Sequence, residues 1–459
     1  MREPLHAVRI AQITGGKLLG SRDALVTGGR ADSRICQEGD LYVALPGEQT
    51  DGSLFVSQAW EAGASVALAD QTKEYPSPPE GKALVLVPHP LSALQTLARA
   101  MREEQDGLQV VGITGSNGKT TTKEILRSIL QEWKGSAVLA SEGNYNSDVG
   151  LPLTLLRLQP EHEIAVLEMG MNRIGEMGEL ASVAHPNVAV VTNVGTAHIG
   201  MLGSREAVAV EKRSIFDYAS PDTIAVVEGD GEWRDFLLEN FPGSVRFFGE
   251  WGLSGWESSN DLGLRGHVIR RNGVEVPFAL PGFHNLKNAM AAVEAALALG
   301  APEEAVLKGL ETVRPESGRS QVIDGTVTVI RDCYNANPES LQAAFQLFAA
   351  TKTTGKRIIV LGEMRELGDE AEGAYQKAGG AAVDTNPDAL YLFGSGLQPA
   401  AQAAREAGFQ GILEEYEEME ELKEALSHSL KEGDLILLKG SRGSALERLD
   451  EVISKIGTG

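Results

Sequence analysis

Two cysteines in 459 residues, Cys36 and Cys333, are too few for a disulfide framework or a clustered zinc site. No apolar run reaches the roughly 18 residues that would suggest a bilayer-spanning helix. The most apolar helix candidate, "NAMAAVEAALALG", carries Glu294 in its middle. Positive charge is scarce too: 41 Lys+Arg against 64 Asp+Glu give a net charge of -23. Such a chain repels nucleic acid and anionic membranes, both polyanions, so neither is expected as a partner. One local cationic pocket can still receive a small anionic substrate. The N-terminal "MREPLHAVRIAQITGG" has no long apolar core, so a cytoplasmic location is expected. No internal repeat or low-complexity segment stands out.

What is present is an ordinary globular composition, 42% hydrophobic and 23% charged, with length for about three domains at roughly 100–200 residues each. The first unit, 1–106, alternates short strands and helices: "LYVAL" (41–45), "SLFVSQAWEAG" (53–63), "SVALAD" (65–70) and "ALVLVPHP" (83–90), then a helix from about 91 to 104 and the polar "EEQDG". In 107–315 the apolar runs "LQVVGIT", "EIAVLEMG" (163–170), "NVAVVTNVG" (187–195) and "DTIAVVEGD" alternate with helices at 119–132 and 204–218. That pattern belongs to a parallel sheet covered on both faces. Residues 245–280 read as antiparallel. After "VRPESGRS", the unit 316–459 carries the strands "VTVIRD" (327–332), "RIIVLGE" (357–363), "ALYLFG" (389–394) and "DLILLKGS" (434–441), a second doubly wound α/β pattern. The acidic run "LEEYEEMEELKEAL" (413–426) reads as a solvated helix face.

Chemistry concentrates first at "VVGITGSNGKTTTKEIL" (110–126), where a strand runs into a glycine loop and a helix opens at Lys119. Backbone N–H groups from Gly115 to Lys119 can wrap phosphate oxygens, because glycine permits close approach and positive φ. The helix N-terminus adds a favourable dipole. In such a loop Lys119 sits on the β/γ-phosphates and the Thr120 hydroxyl holds Mg²⁺. The usual pattern has glycine six places before the lysine; here that place is Ile113, and the loop is the tighter "TGSNGKT".

Other candidates are weaker alone. Glu168 ends "IAVLE" and belongs at the carboxyl end of a strand beside the loop, where a hard oxygen ligand suits Mg²⁺. A glutamate after a strand is otherwise a structural residue. His198 in "VGTAHIG" reads alone as a surface histidine, and Lys212 in "AVEKRSIFDY" as a solvated helix lysine. Asn285 and Asn288 in "PGFHNLKNA" lie three apart on one helix face, either a capping cluster or paired amides able to read an adenine edge. In the last unit Asp332 ends a strand before the Asn/Pro-rich loop "RDCYNANPES" (331–340), and "LGEMRELG" (361–368) and "LLKGSRGS" (437–444) follow. Lys439 and Arg442 there could meet a carboxylate or a phosphate. Cys333 reads as a small buried residue rather than a nucleophile.

Taken together, "DSR" (32–34), "ALPGEQTDG" (44–52), "TGSNGKT", "RDCYNANP" and "KGSRGS" resemble the Mur ligase family over essentially the whole chain. The "D-x-Y-N-A-N-P" run is typical of the member that adds D-alanyl-D-alanine to UDP-N-acetylmuramoyl-tripeptide. The "DNPR"-type motif of the diaminopimelate-adding relative is absent. The resemblance implies ATP as co-substrate, two Mg²⁺ ions, and the nucleotide-sugar tripeptide and D-Ala-D-Ala as partners of a monomer. It implies an ATP site of Thr114, Gly115, Ser116, Asn117, Gly118, Lys119, Thr120, Thr121, Asn285, Asn288, Arg319 and Asp332. Metal ligands would be Thr120, Glu168, His198 and Lys212, the last as a carbamate formed with CO₂; Lys119, Glu168, His198 and Lys212 form the catalytic set. Substrate contacts would come from Ser33, Arg34, Asn144, Asn146, Tyr334, Asn335, Asn337, Lys439 and Arg442. The implied fold class is α/β in three domains: a small N-terminal α/β domain for the UDP-sugar, a central P-loop ATPase-type parallel sheet, and a C-terminal Rossmann-like domain for the dipeptide. Ser53 and Tyr375 depart from the pattern, which has histidine at both places. Two other readings share parts of these motifs. A folylpolyglutamate-type ligase has the loop but no counterpart of the N-terminal motifs, and a nucleotide-binding regulator would need no Glu168/His198/Lys212 set.

Overall fold

The computed structural model describes residues 5–47, 50–249 and 253–456. Positions 48 and 49 of the "ALPGEQTDG" stretch lie outside the described residues. Three sheets, each with a hydrophobic cluster on both faces, organise the chain.

The N-terminal sheet has five strands in the order Lys17–Gly20, Ala83–Val87, Val66–Asp70, Asp40–Val43, Gly28–Arg30. All pair in parallel except the first, which is antiparallel to Ala83–Val87. The helix Pro90–Glu103 starts with proline at its first turn, where no N–H is missed, and buries Leu94, Leu97 and Met101. Its Ala98 packs in the central unit's core. Conversely Leu153 and Leu156, beyond the central unit's first strands, pack in the N-terminal core.

The central sheet is six-stranded and wholly parallel: Ser244–Phe248, Ile224–Glu228, Val188–Val191, Gln109–Thr114, Ile164–Glu168, Val138–Ala140. Its inner strands are buried end to end, which is why they read as unbroken apolar runs. The first strand of the unit, Gln109–Thr114, lies in the middle, and the chain fills one side of it and then the other. Its carboxyl end is therefore the topological switch point, where open α/β sheets bind ligands. Residues 245–280 divide: Ser244–Phe248 joins the parallel sheet, and only Trp256–Asp261, His267–Arg271 and Val274–Phe278 form an antiparallel meander. The expected 204–218 helix ends at Arg213, with a 3₁₀ turn over Ser214–Phe216.

The C-terminal sheet runs Gln321–Ile323, Thr328–Asp332, Leu435–Lys439, Arg357–Gly362, Ala389–Phe393, Ile412–Tyr416, parallel apart from the first. The acidic run 413–426 is corrected here. Its first part is the edge strand Ile412–Tyr416, and the helix starts only at Met419. Glu414 and Glu415 are exposed on that edge, where charge discourages pairing with another chain. No helix among the described residues is long and apolar enough to cross a membrane.

Candidate active site

The switch point opens into a cavity of about 490 Å³, walled by the glycine loop, the ends of its two neighbouring strands, the helix Phe283–Ala298 and the loop after Asp332. Two glycines shape the loop. Gly118 has φ 82, and a β-carbon there would overlap the Asn288 carboxamide. A β-carbon on Gly115 would overlap Thr192 Oγ1. Side chains could not replace either without moving a wall of the site.

Asn193 braces the loop, although it was not singled out in sequence. The Ser116 N–H donates to its carbonyl (3.1 Å), the Asn117 N–H to its Oδ1 (2.9 Å), and its Nδ2 donates to the Asn117 carbonyl (3.0 Å). Two of the five expected phosphate-binding N–H groups are thus engaged within the protein. The first-turn N–H groups of the helix Lys119–Lys134, which have no intrahelical partner, remain at the cavity. Lys119 Nζ donates to the Gly115 carbonyl at 2.8 Å, and burial pushes its pKa down.

Thr120 and Glu168 come together as expected: the Thr120 hydroxyl donates to Glu168 Oε2 and Asn146 Nδ2 to Oε1, both at 2.8 Å. Glu168 is 2% exposed, and no cationic side chain among the described residues forms an ion pair with it. A buried carboxylate held only by neutral donors fits a cation. His198 sits in a left-handed conformation (φ 64), its Nδ1 2.7 Å from Glu366 Oε2 of the C-terminal unit. The two atoms are in contact without the alignment of a hydrogen bond. This contact holds the Glu366 carboxyl below its usual range.

Lys212 is not a solvated lysine. It is 1% exposed, on the buried face of the helix Arg205–Arg213. Burial and the nearby Lys119 charge push its pKa well down, and Glu211 does not offset them. The Glu211 carboxylate is itself occupied by the N–H groups of Gly175 (2.8 Å) and Met177 (2.7 Å).

Asn285 and Asn288 are buried on the cavity wall. Asn285 Nδ2 donates to the Pro281 carbonyl (2.8 Å), and Asn288 Nδ2 to Asn285 Oδ1 (3.2 Å). The intervening Lys287 pairs with Glu228 across the cavity and was missed, though it stands between the two asparagines in sequence. Arg319 lies over the Tyr334 ring, 4.0 Å from its centroid.

The C-terminal unit is docked on the loop. Asn337 caps the helix Pro338–Ala350 through Oδ1, which accepts from the Ser340 N–H at 2.8 Å, while its Nδ2 donates to Asn117 Oδ1 at 2.8 Å. Glu339 accepts from the Thr196 N–H (2.8 Å) and hydroxyl (2.9 Å). Lys439 lines the cavity, with partners inside the protein. It is 1% exposed and already bonded to Asp332 Oδ2 and the Asn335 carbonyl, both at 2.8 Å, because parallel register places it beside Asp332. Asp332 also accepts from the Ser320 N–H at 3.0 Å. Asn335 and Tyr334 line the cavity. Burial raises the Cys333 thiol to about 12, which leaves it no nucleophile. Tyr375 fastens the 362–367 loop, accepting from the Met364 N–H (2.9 Å) and donating to its carbonyl (3.0 Å).

Ser33, Arg34 and Asn144 do not line this cavity. The Ser33 hydroxyl donates to Gln58 (3.0 Å), Arg34 pairs with Asp32 (2.7 Å), and Asn144 is exposed. In the same unit Ser53 is clipped by Asp51 and Lys73.

A central phosphate-loop sheet that shares one acidic and cationic cleft with a C-terminal α/β unit, and that packs against a further N-terminal α/β unit, defines a nucleotide-dependent ligase architecture. The chain belongs to the Mur ligase family: the Mur ligase middle domain matches residues 113–296, the Mur ligase glutamate ligase domain 318–442, and the Mur ligase family catalytic domain 26–102. It is 38% identical over 97% of its length, and 98% of the relative's, to the UDP-N-acetylmuramoyl-tripeptide–D-alanyl-D-alanine ligase of Treponema pallidum. Among solved structures it resembles MurF from Acinetobacter baumannii (TM-score 0.86, 31% identity, 99% of each chain). It also resembles the Thermotoga maritima MurF ligase in complex with ADP (TM-score 0.78, 29% identity, 94% of this chain and 97% of that one).

Proposed function

We propose that this chain is an ATP-dependent amide-bond ligase that joins D-alanyl-D-alanine to UDP-N-acetylmuramoyl-tripeptide through an acyl phosphate, in the cytoplasm, toward cell-wall peptidoglycan. The observation that carries the reading is the Asn337–Asn117 hydrogen bond, which ties the "YNANP" loop directly to the phosphate loop. ATP chemistry and the loop typical of the dipeptide-adding member therefore share one cavity.

A carboxylate does not react with an amine at neutral pH, because its oxygen is a poor leaving group. In the first step a tripeptide carboxylate oxygen attacks the γ-phosphorus of ATP; the bond from that phosphorus to the bridging oxygen breaks and ADP leaves. The amine of D-Ala-D-Ala then attacks the acyl carbon, phosphate departs with the C–O electron pair, and the amine gives up a proton. Lys119 and the free N–H groups of the helix start meet the phosphoryl oxygens in flight. Asn285, Asn288 and Arg319 hold the nucleotide. The docked C-terminal unit keeps water from the acyl phosphate, with Asn337 and Glu339 as its contacts.

Thr120 and Glu168 would hold Mg²⁺, and His198 and Lys212 a second ion; Mg²⁺ supplies charge neutralisation on the phosphates. Lys212 would serve there as a carbamate: its buried ammonium would give up a proton, and the resulting amine would add to CO₂ and lose a second proton, turning a cation into an oxygen ligand. The units 1–106, 107–315 and 316–459 bind the UDP-sugar, ATP and the dipeptide, with Ser33, Arg34, Asn144 and Asn146 on the sugar-peptide side.

The test is stoichiometric. ADP and phosphate should each appear one per amide, only with both the UDP-sugar tripeptide and D-Ala-D-Ala present, and far faster than with L-Ala-L-Ala. Turnover with L-glutamate and none with the dipeptide would move the chain to the folylpolyglutamate type, and ADP release without either acceptor would favour a regulator.

A further inference from the structure

Of the arginines that form no ion pair among the described residues, three, Arg319, Arg365 and Arg442, gather in one place, where the C-terminal unit meets the cavity. Arg319 and Arg442 share the Tyr334 ring, their guanidinium carbons 4.0 and 5.5 Å from its centroid. Arg365 lies against Gly443, where a β-carbon would overlap its guanidinium, so glycine at 443 makes room for it.

The loops bearing Arg365 and Arg442 are built rather than loose. The Ser441 N–H donates to the Glu363 carbonyl (2.9 Å), and the Glu363 N–H to Ser444 Oγ (3.1 Å). Tyr375 fastens Met364 beside them. A guanidinium on a fixed stem presents a planar fork of donors that matches a carboxylate. Lys439, the other candidate on this strand, is occupied by Asp332 and Asn335.

Distance narrows the ligand. The dipeptide amine must reach the acyl carbon, and an extended dipeptide spans at most roughly 7 Å. Its terminal carboxylate is therefore read by a loop adjoining the cavity. Both arginines qualify: Glu366, next to Arg365, touches His198 on the cavity wall at 2.7 Å, and Tyr334 beneath Arg442 lines the cavity itself. We propose that Arg365 and Arg442 bind the terminal carboxylate of the incoming dipeptide, leaving Arg319 to the nucleotide side of the same tyrosine. This rests on the ligase reading above.

The experiment compares D-Ala-D-Ala with its C-terminal carboxamide in wild type, Arg365→Gln and Arg442→Gln. A site built for a charged partner rejects the neutral analogue strongly, so wild type should prefer the acid by about 100-fold in kcat/KM or more. Loss of either arginine should cut that preference at least about tenfold, raising KM for the dipeptide while KM for ATP stays within about twofold. The ratio is internal to each variant, so partial misfolding cancels. A collapse in either variant assigns the carboxylate to that side chain and supports the proposal. Retention of the wild-type ratio in both, or no preference in wild type, overturns it. Failure of wild type to use D-Ala-D-Ala at all would instead remove the ligase reading.

Discussion

Gly118→Ala separates two costs that glycine avoids in the phosphate loop. The first is conformational: φ 82 is left-handed, and an L side chain there costs about 1–2 kcal/mol. The second is steric, since the new methyl would overlap the Asn288 carboxamide, with Cγ at 3.0 Å and Nδ2 at 3.2 Å. Asn288 is 7% exposed and bonded to Asn285, so it has little room to yield; overpacking of this kind costs about 1–3 kcal/mol. Gly107 provides the control, with φ 76 and nothing within 4 Å of its would-be β-carbon. Gly107→Ala should therefore lose about 1–2 kcal/mol and Gly118→Ala about 2–5. Because the second strain falls on the N–H cradle, MgADP affinity should drop at least about tenfold, or about 1.4 kcal/mol, in Gly118→Ala alone. Adding Asn288→Ala vacates the clash, so the double variant should be more stable than additivity predicts by about 1–3 kcal/mol. Urea unfolding of the four variants and calorimetric titration with MgADP read both quantities. If Gly118→Ala unfolds with Gly107→Ala and binds MgADP within about twofold of wild type, the overlap with Asn288 does not shape the site.

Lys119→Ala should lower kcat by several orders of magnitude with little change in unfolding, since Nζ supports only the Gly115 carbonyl in the folded chain; near-normal turnover would remove the loop from the chemistry. Lys212→Ala should be nearly inactive and partly restored by acetate or formate, which supply the carbamate's oxygens, whereas Lys212→Arg should not be rescued. Full activity in Lys212→Ala would end that role, and inactivity without rescue would leave Lys212 important with its carbamate unproven. Glu339→Ala removes both bonds to Thr196; it should raise ADP release without amide formation relative to coupled turnover, while MgADP affinity stays within about twofold. Unchanged coupling would show that this contact does not hold the closed state.

How much of this was legible depended on whether the partner of each residue lay nearby in the chain. The strands Gln109–Thr114, Ile164–Glu168 and Val188–Val191 are covered on both faces, so their sequence is apolar without interruption and unmistakable. The strand Ile412–Tyr416 is an exposed edge; its acids carry no burial signal and merge into the acidic helix that follows. Thr120 was readable because the loop is a local object, whereas Asn193, Glu339 and Glu366 act on residues 76, 143 and 168 positions away, and no spacing rule reaches that far. The partner of Lys439 was hidden for the same reason: only register reveals that Asp332 stands beside it. Lys212 had a usable sign. Val208, Ala209, Glu211 and Lys212 share the buried face of the helix Arg205–Arg213; Glu211 has structural partners in the Gly175 and Met177 N–H groups, and a buried lysine beside it is rare enough to mark.

That buried pair and the docked helix Pro338–Ala350 bear on one physical problem. An acyl phosphate in water hydrolyses, so the centre must be dry; a dry centre makes every unpaired charge costly. Glu168, Lys119 and Lys212 are buried in that sense, and none of them forms an ion pair among the described residues. At the phosphate loop itself the C-terminal unit docks through uncharged groups: Asn337 contributes an amide, and the capped N-terminus of its helix presents the positive end of a dipole. Glu339, the one acid in that first turn, is held by Thr196 rather than left facing the triphosphate. The contact that docks the C-terminal unit therefore also gives that carboxylate two hydrogen-bond donors of the central unit.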